Sequence, residues 1–521
     1  MRKMNARTAL RFALAVAFVG VVGVREWTKS HSAGRAAEST QGAAIAQKNG
    51  QRGFTLGALA FEPCELGQRN SAATTAAFCA PFQVPENWDK PDGRRIDLHL
   101  ALVRSEAEAA ARDLVVLLAG GPGQAATEVY PRAAAGFAPL LRQRNLVLMD
   151  QRGTGGSHAL QCRQDLDDED AASADKVDFA KIRANVQGCL DEVSKNADPA
   201  QYTTTAAVRD LEALRQALGA PQFDLVGVSY GTRVAQQYLM RYPDGVRSIV
   251  LDSPVPNEVV LGSEFAANLD ASLKAQFAVC AKDTACAKAF GDPYASLYRL
   301  RDQLAAKPEE VALHDPRTHV REKKALGAMR LAGLARLFAY APETSALLPL
   351  VVDRALKGDY APLTGQSEYI NGEVQDLTGG MPMSVICAED ADLLVDRPED
   401  AKLLLGDLFA HVLREQCAIW PRGARPADFH QAVRSDKPVL VLSGEFDPVT
   451  PPRYGEAILK GLPNGRQLVA AGQGHSVMGR GCLPKLVSRF VDTLETKALD
   501  AGCVADFGTT PAFIDFNGAA P

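Results

Sequence analysis

The stretch Phe223-Asp224-Leu225-Val226-Gly227-Val228 runs into Ser229-Tyr230-Gly231 and continues from Thr232 to Arg241 in a helical pattern. Few folds accept a branched run that passes through G-x-S-x-G and leaves as a helix. The serine must sit on a sharp turn at the end of a strand, where the flanking glycines keep Cβ atoms out of the bend. Such a turn lifts a hydroxyl out of the sheet, which makes Ser229 the candidate nucleophile.

Runs of the same kind recur at residues 114–118, 146–149, 249–252, 439–443 and 467–470, separated by longer helical stretches. Short, nearly continuous apolar runs are what buried parallel strands look like when helices cover both faces of their sheet. The fold class is therefore α/β. Upstream, residues 54–61 and 96–103 predict an antiparallel entry to the sheet, with Pro81, Pro85 and Pro91 breaking the segment between them. Between Asp252 and Val439 the strand rhythm stops for about 185 residues. Helical patterns at 271–289, 294–306, 325–340 and 401–420 fill this span, which is too long for a loop and predicts an inserted helical cap. The chain divides into an export signal and tether (1–53), a first part of the core (54–253), the cap (254–437), and a second part of the core with a C-terminal tail (438–521).

A serine hydroxyl attacks only when a base takes its proton, so a histidine held by a carboxylate is required. Of the eight histidines only His475 follows a predicted strand, within Gly472-Gln473-Gly474-His475-Ser476. Asp447, in Gly444-Glu445-Phe446-Asp447-Pro448, lies just past the 439–443 run and is the expected orienting acid, with Glu445 as its rival. The chain order Ser229, Asp447, His475 is the order of α/β-hydrolases. Gly120-Gly121-Pro122-Gly123 follows the 114–118 run, where that fold places a loop of oxyanion donors; the N–H groups of Gly121 and Tyr230 are the candidates.

The first residues carry an address. Arg2, Lys3, Arg7 and Arg11 precede an apolar run at 12–24, which as a helix reaches roughly 20 Å against a hydrocarbon core of about 30 Å. It reads as an export signal, with an uncleaved N-terminal anchor as the alternative and the sole expected contact with a membrane. Ten cysteines in an exported chain predict five local bridges, Cys64–Cys79, Cys162–Cys189, Cys280–Cys286, Cys387–Cys417 and Cys482–Cys503. Metal ligation is the poorer reading because no C-x-x-C occurs. With 57 Lys+Arg against 62 Asp+Glu there is no overall cationic field, which argues against a nucleic-acid partner. No dinucleotide motif, Walker loop or metal box appears, so no cofactor is implied.

Gly120-Gly121-Pro122-Gly123, Asp150-Gln151-Arg152-Gly153-Thr154-Gly155-Gly156-Ser157, Gly227-Val228-Ser229-Tyr230-Gly231-Thr232, Gly444-Glu445-Phe446-Asp447-Pro448-Val449-Thr450-Pro451 and Gly474-His475 together resemble the exported serine aminopeptidases of the prolyl iminopeptidase and tripeptidyl aminopeptidase type. The resemblance implies an α/β-hydrolase fold with a helical cap and a peptide substrate shortened from its N-terminus through an acyl-enzyme. It also implies Ser229, Asp447 and His475 as triad and Gly121 with Tyr230 as oxyanion donors. Ala119, where many prolyl iminopeptidases have histidine, makes the sequence look more like the tripeptidyl branch. Asp150 and Arg152 are expected to pair near the site. An exopeptidase must bind a free α-amine, which calls for cap carboxylates. Glu389 and Asp390 beside Cys387 are preferred over Glu258, Glu264 and Asp270. An exported esterase or other small-molecule hydrolase would use the same triad without an amine anchor.

Overall fold

The computed structural model describes residues 52–67, 74–162, 178–314, 319–365 and 379–519. Ten strands form one sheet: β1 (Phe54–Leu56), β2 (Leu59–Gly67), β3 (Thr74–Pro85), β4 (Arg95–Val103), β5 (Leu114–Leu118), β6 (Leu146–Met149), β7 (Phe223–Val228), β8 (Val246–Asp252), β11 (Val439–Gly444) and β12 (Gly465–Ala470). Their order is β1-β2-β3-β4-β6-β5-β7-β8-β11-β12. The first four are antiparallel and β4 joins β6 antiparallel; from β6 to β12 every pairing is parallel.

The central strands have no polar face. In β5, Leu114, Val116 and Leu118 enter one apolar cluster while Val115 and Leu117 enter the other, as the two-residue period of a strand requires. Helices Thr204–Ala217 and Tyr230–Arg241 cover the first face through Leu211, Leu214, Val234 and Tyr238. Helices Ala126–Leu141 and Leu483–Thr493 cover the second through Tyr130, Phe137, Val487 and Phe490.

The antiparallel entry has two strands more than the sequence predicts: the expected 54–61 strand folds back at Gly57 (φ 60°) into the β1–β2 hairpin, and β3 runs straight through Pro81. Its neighbour across β4, His99, turns its N–H to Ser157 Oγ and its carbonyl to the Asp150 N–H. The facing Pro81 nitrogen is thus directed away from β4, beyond the point where the β2 pairing ends at Glu62 opposite Cys79. No ladder bond is lost there, so proline is tolerated.

Between β8 and β11 the chain is mostly helical but includes a hairpin, β9 (Glu309–His314) and β10 (Arg321–Leu326), which the helical pattern did not predict. Only Val311 and Leu313 of β9 are buried, and its exposed positions are Glu310, Ala312 and His314. The hairpin shares an apolar cluster with helices Phe265–Lys282, Pro293–Ala306, Ala328–Phe338 and Leu348–Leu356. The expected helix over 271–289 is interrupted at Asp283, whose carboxylate accepts the Cys286 N–H at 2.7 Å and starts a new helix. Helices Gly380–Glu389 and Leu408–Cys417 instead send Met381, Val385, Cys387 and Cys417 into the main core. All five expected disulfides are formed. The apolar run at 12–24 lies outside the described residues, and no helix among them is long and apolar enough to cross a membrane.

Candidate active site

Ser229 sits between β7 and helix Tyr230–Arg241 with φ 54° and ψ −122°. An L-residue held there costs on the order of 1–3 kcal/mol, which the surrounding structure must impose. The glycines make the bend possible: a Cβ on Gly231 would lie 2.0 Å from the Leu118 carbonyl oxygen, and one on Gly227 2.6 Å from that of Gly231. The Ser229 N–H donates to the Asp252 carbonyl at 2.9 Å, and Thr232 N–H donates to the Ser229 carbonyl at 2.9 Å.

His475 Nδ1 lies 2.8 Å from Asp447 Oδ2. The carboxylate is fully enclosed, and its other oxygen accepts the N–H groups of Val449 and Thr450 at 2.8 Å each. Burial by itself raises the Asp447 pKa, but the imidazole and these donors outweigh it and hold the group below the usual carboxylate value. For His475 burial favours the neutral ring, and the Asp447 charge overrides it, so the imidazole pKa is raised. Glu445, the rival acid, is occupied elsewhere and accepts the Gly472 N–H at 2.8 Å.

One carboxylate here has no sequence signal. Asp252, at the end of β8, accepts the Ser229 N–H on its carbonyl, while its side chain accepts Val477 and Met478 N–H groups at 2.9 and 3.0 Å. It fastens the serine turn and the His475 loop to one point. Burial pushes its pKa up to about 6. Among the described residues Ser229 Oγ makes no hydrogen bond to His475, so what joins them is this shared anchorage. The insert contributes too: the His475 N–H donates to the Tyr340 carbonyl at 2.8 Å. A Cβ at position 474 would stand 2.2 Å from that oxygen, which explains the glycine before the histidine.

Ser229 opens on a cavity of about 60 Å³, walled by Gly121, Tyr230, Glu264, Phe265, Arg336 and Tyr340 among others. Gly121 and Tyr230 thus share a wall with the serine, and Tyr230, as the first residue of its helix, has an N–H with no acceptor in the helix.

The preferred amine-binding pair is not at this cavity. Glu389 and Asp390 are both fully buried. Glu389 accepts the Thr204 N–H at 2.7 Å and its hydroxyl at 3.0 Å; that hydroxyl also bonds the Tyr230 OH at 2.6 Å. Burial pushes the Glu389 pKa up to about 8, leaving it largely uncharged at neutral pH and unsuited to an ammonium ion. Asp390 pairs with Arg233 at 2.8 Å. Of the other carboxylates, Glu258 is exposed on a turn, and Asp270 is held by Tyr298 OH at 2.6 Å and Lys274 at 3.0 Å. Only Glu264 reaches the cavity wall. The expected Asp150–Arg152 pair is also absent. Arg152 forks onto Asp210 at 2.6 Å, while Asp150 accepts Thr127 and Gly156 N–H groups at 2.9 and 3.1 Å.

The sheet order, the serine turn and the imidazole–carboxylate pair define a serine hydrolase of the α/β type. The chain belongs to the alpha/beta hydrolase fold family, which matches residues 113–479. It is similar to serine protease Hip1 of Mycobacterium tuberculosis, 26% identical over 488 residues that cover 85% of this chain and 90% of that protein. It is also similar to carboxylesterase B of the same organism, at 27% identity over 77% of this chain and 81% of that protein. A tripeptidyl aminopeptidase of Streptomyces lividans is 29% identical over 34% of this chain and 35% of that protein.

Proposed function

We propose that the protein is an exported serine exopeptidase that removes one or a few residues from peptide N-termini through an acyl-enzyme. His475 takes the Ser229 proton as Oγ bonds to the scissile carbonyl carbon, then delivers it to the departing amine. Asp447 fixes the ring tautomer and stabilises the imidazolium. Gly121 and Tyr230 N–H groups receive the developing oxyanion; removing one such donor typically costs about 3 kcal/mol. Water then repeats the sequence to release the acyl group. Hydroxyl and imidazole engage as substrate binds, since catalytic hydrogen bonds are often long in empty sites.

The observation that carries the exopeptidase reading is Glu264 on the wall of the Ser229 cavity. Its Oε2 takes both Arg453 Nη2 at 2.9 Å and Tyr454 OH at 2.6 Å. Its Oε1 has no partner among the described residues and suits a substrate ammonium group. Export is supported by the five bridges, which persist in oxidising compartments, and the kinship to a serine protease and a tripeptidyl aminopeptidase favours peptides. A second reading, an esterase, is favoured by the carboxylesterase relative.

The test compares free and N-blocked aminoacyl arylamides with a neutral ester. The proposal expects free amines to be cut at least 10-fold better than blocked ones, with Glu264→Gln erasing the difference. Equal cleavage would overturn the exopeptidase reading and leave the hydrolase standing. Ser229→Ala is expected to lower kcat by several orders of magnitude, read with the same substrates.

A further inference from the structure

Helix Ala328–Phe338 carries Arg336 in its last turn. Two residues past its end, the Tyr340 carbonyl accepts the His475 N–H, so the helix terminus is docked on the catalytic loop. The Arg336 guanidinium lies 4.4 Å from the centre of the Phe265 ring, and both side chains wall the Ser229 cavity. This ring contact uses none of the guanidinium N–H donors as a hydrogen bond to a polar acceptor.

Those donors are unused. Arg336 makes no hydrogen bond or ion pair among the described residues, whereas other enclosed or site-adjacent arginines are matched: Arg152 with Asp210, Arg233 with Asp390, Arg453 with Glu264. Glu264, the carboxylate on the cavity wall among the described residues, turns its Oε2 to Arg453 and Tyr454 and makes no bond to Arg336. An unmatched cation this near the base also carries a functional cost. Its charge opposes protonation of His475, the state the base must reach as the serine attacks. An anion from the substrate relieves both conditions: it fills the guanidinium fork bidentately and neutralises the charge facing the imidazole.

We propose that Arg336 anchors a carboxylate of the substrate, so that the enzyme prefers short peptides carrying one within reach of the scissile bond, as an acidic side chain or a nearby C-terminus. Together with Glu264 this gives the cavity one anionic and one cationic group, matched to a zwitterionic peptide. The inference rests on the exopeptidase reading for its substrate class, while the carboxylate anchor itself is testable on any acyl substrate.

The experiment measures kcat/KM for matched substrates that differ only in the carboxylate: glutamyl against glutaminyl arylamide, and a tripeptide acid against its C-terminal amide. At least one pair is expected to favour the acid by about 10- to 100-fold, the range of a hydrogen bond to a charged group. The pair that responds identifies the source. Arg336→Gln brings that ratio to about 1, Arg336→Lys keeps part of it, and added salt shrinks it in the wild type. Ratios near 1 for both pairs in the active wild type overturn the proposal, as does a ratio that survives Arg336→Gln, since a merely structural arginine would lower both substrates alike. If the variants do not fold, the wild-type ratios and their salt dependence still decide. If no amide is cut, the exopeptidase reading fails separately, and p-nitrophenyl hemisuccinate against its methyl ester puts the same question to the anchor.

Discussion

His475 shows how far a single side chain can be reasoned about. Its raised pKa comes from Asp447 against the effect of burial, with Asp252 adding in the same direction. General-base action needs the neutral ring, so kcat/KM is expected to fall as pH drops through a value above the ordinary 6.5 or so of histidine. Asp252→Asn removes one of the charges that hold this value up and one of the acceptors that fix the loop. The acid limb of the pH profile is expected to move to lower pH and kcat to decline; a profile that keeps its midpoint would show Asp252 to be a bystander. The serine turn at Ser229 and the pairing of Asp447 with His475 were legible in the sequence because each of these residues follows a short branched run within a few residues of glycine or proline, a signal carried by local chain. Asp252 was not, since an acid at a strand end gains meaning only from the N–H groups of Val477 and Met478, far along the chain. Glu389 was misread for the same reason: adjacency to Cys387 is visible, but burial against Thr204 is not.

At the scale of elements, the parallel strands were read to within a few residues because two covered faces leave an uninterrupted apolar run. The edges were harder. Proline in β3 marks a break unless the direction of its missing N–H is known, and that depends on where β2 stops. The β9–β10 hairpin is charged on its outer face, where Lys323 meets Glu310 at 2.6 Å, so it lacks the apolar signature of the core strands. Contacts between elements yield a sharper prediction. A methyl group at position 474 would meet the Tyr340 carbonyl at 2.2 Å, so Gly474→Ala is expected to force the helix end and the His475 loop apart. Expected is a loss of at least about 10-fold in kcat, because small misplacements at a reacting centre are costly. The circular dichroism spectrum should stay native; unchanged kcat would mean that this contact does not position the base.

For the molecule as a whole, the insert is joined to the sheet in two different ways. Its earlier helices build their own apolar cluster, while Gly380–Glu389 and Leu408–Cys417 pack into the main core and are bridged by Cys387–Cys417. That bridge spans 30 residues, for which the chain-entropy relation gives between about 3 and 4 kcal/mol. Replacing both cysteines by alanine is expected to lower unfolding free energy by that order, measured by denaturant titration, and to loosen Glu389 and with it the support under Tyr230. Activity should therefore decline before global unfolding. The backbone N–H of His475 bonds to the carbonyl of Tyr340, a residue of the insert that also walls the Ser229 cavity. Exchanging that segment for one from a different hydrolase would strip the histidine loop of its acceptor, so the selectivity of this enzyme is not a module that can be swapped without also disturbing its chemistry.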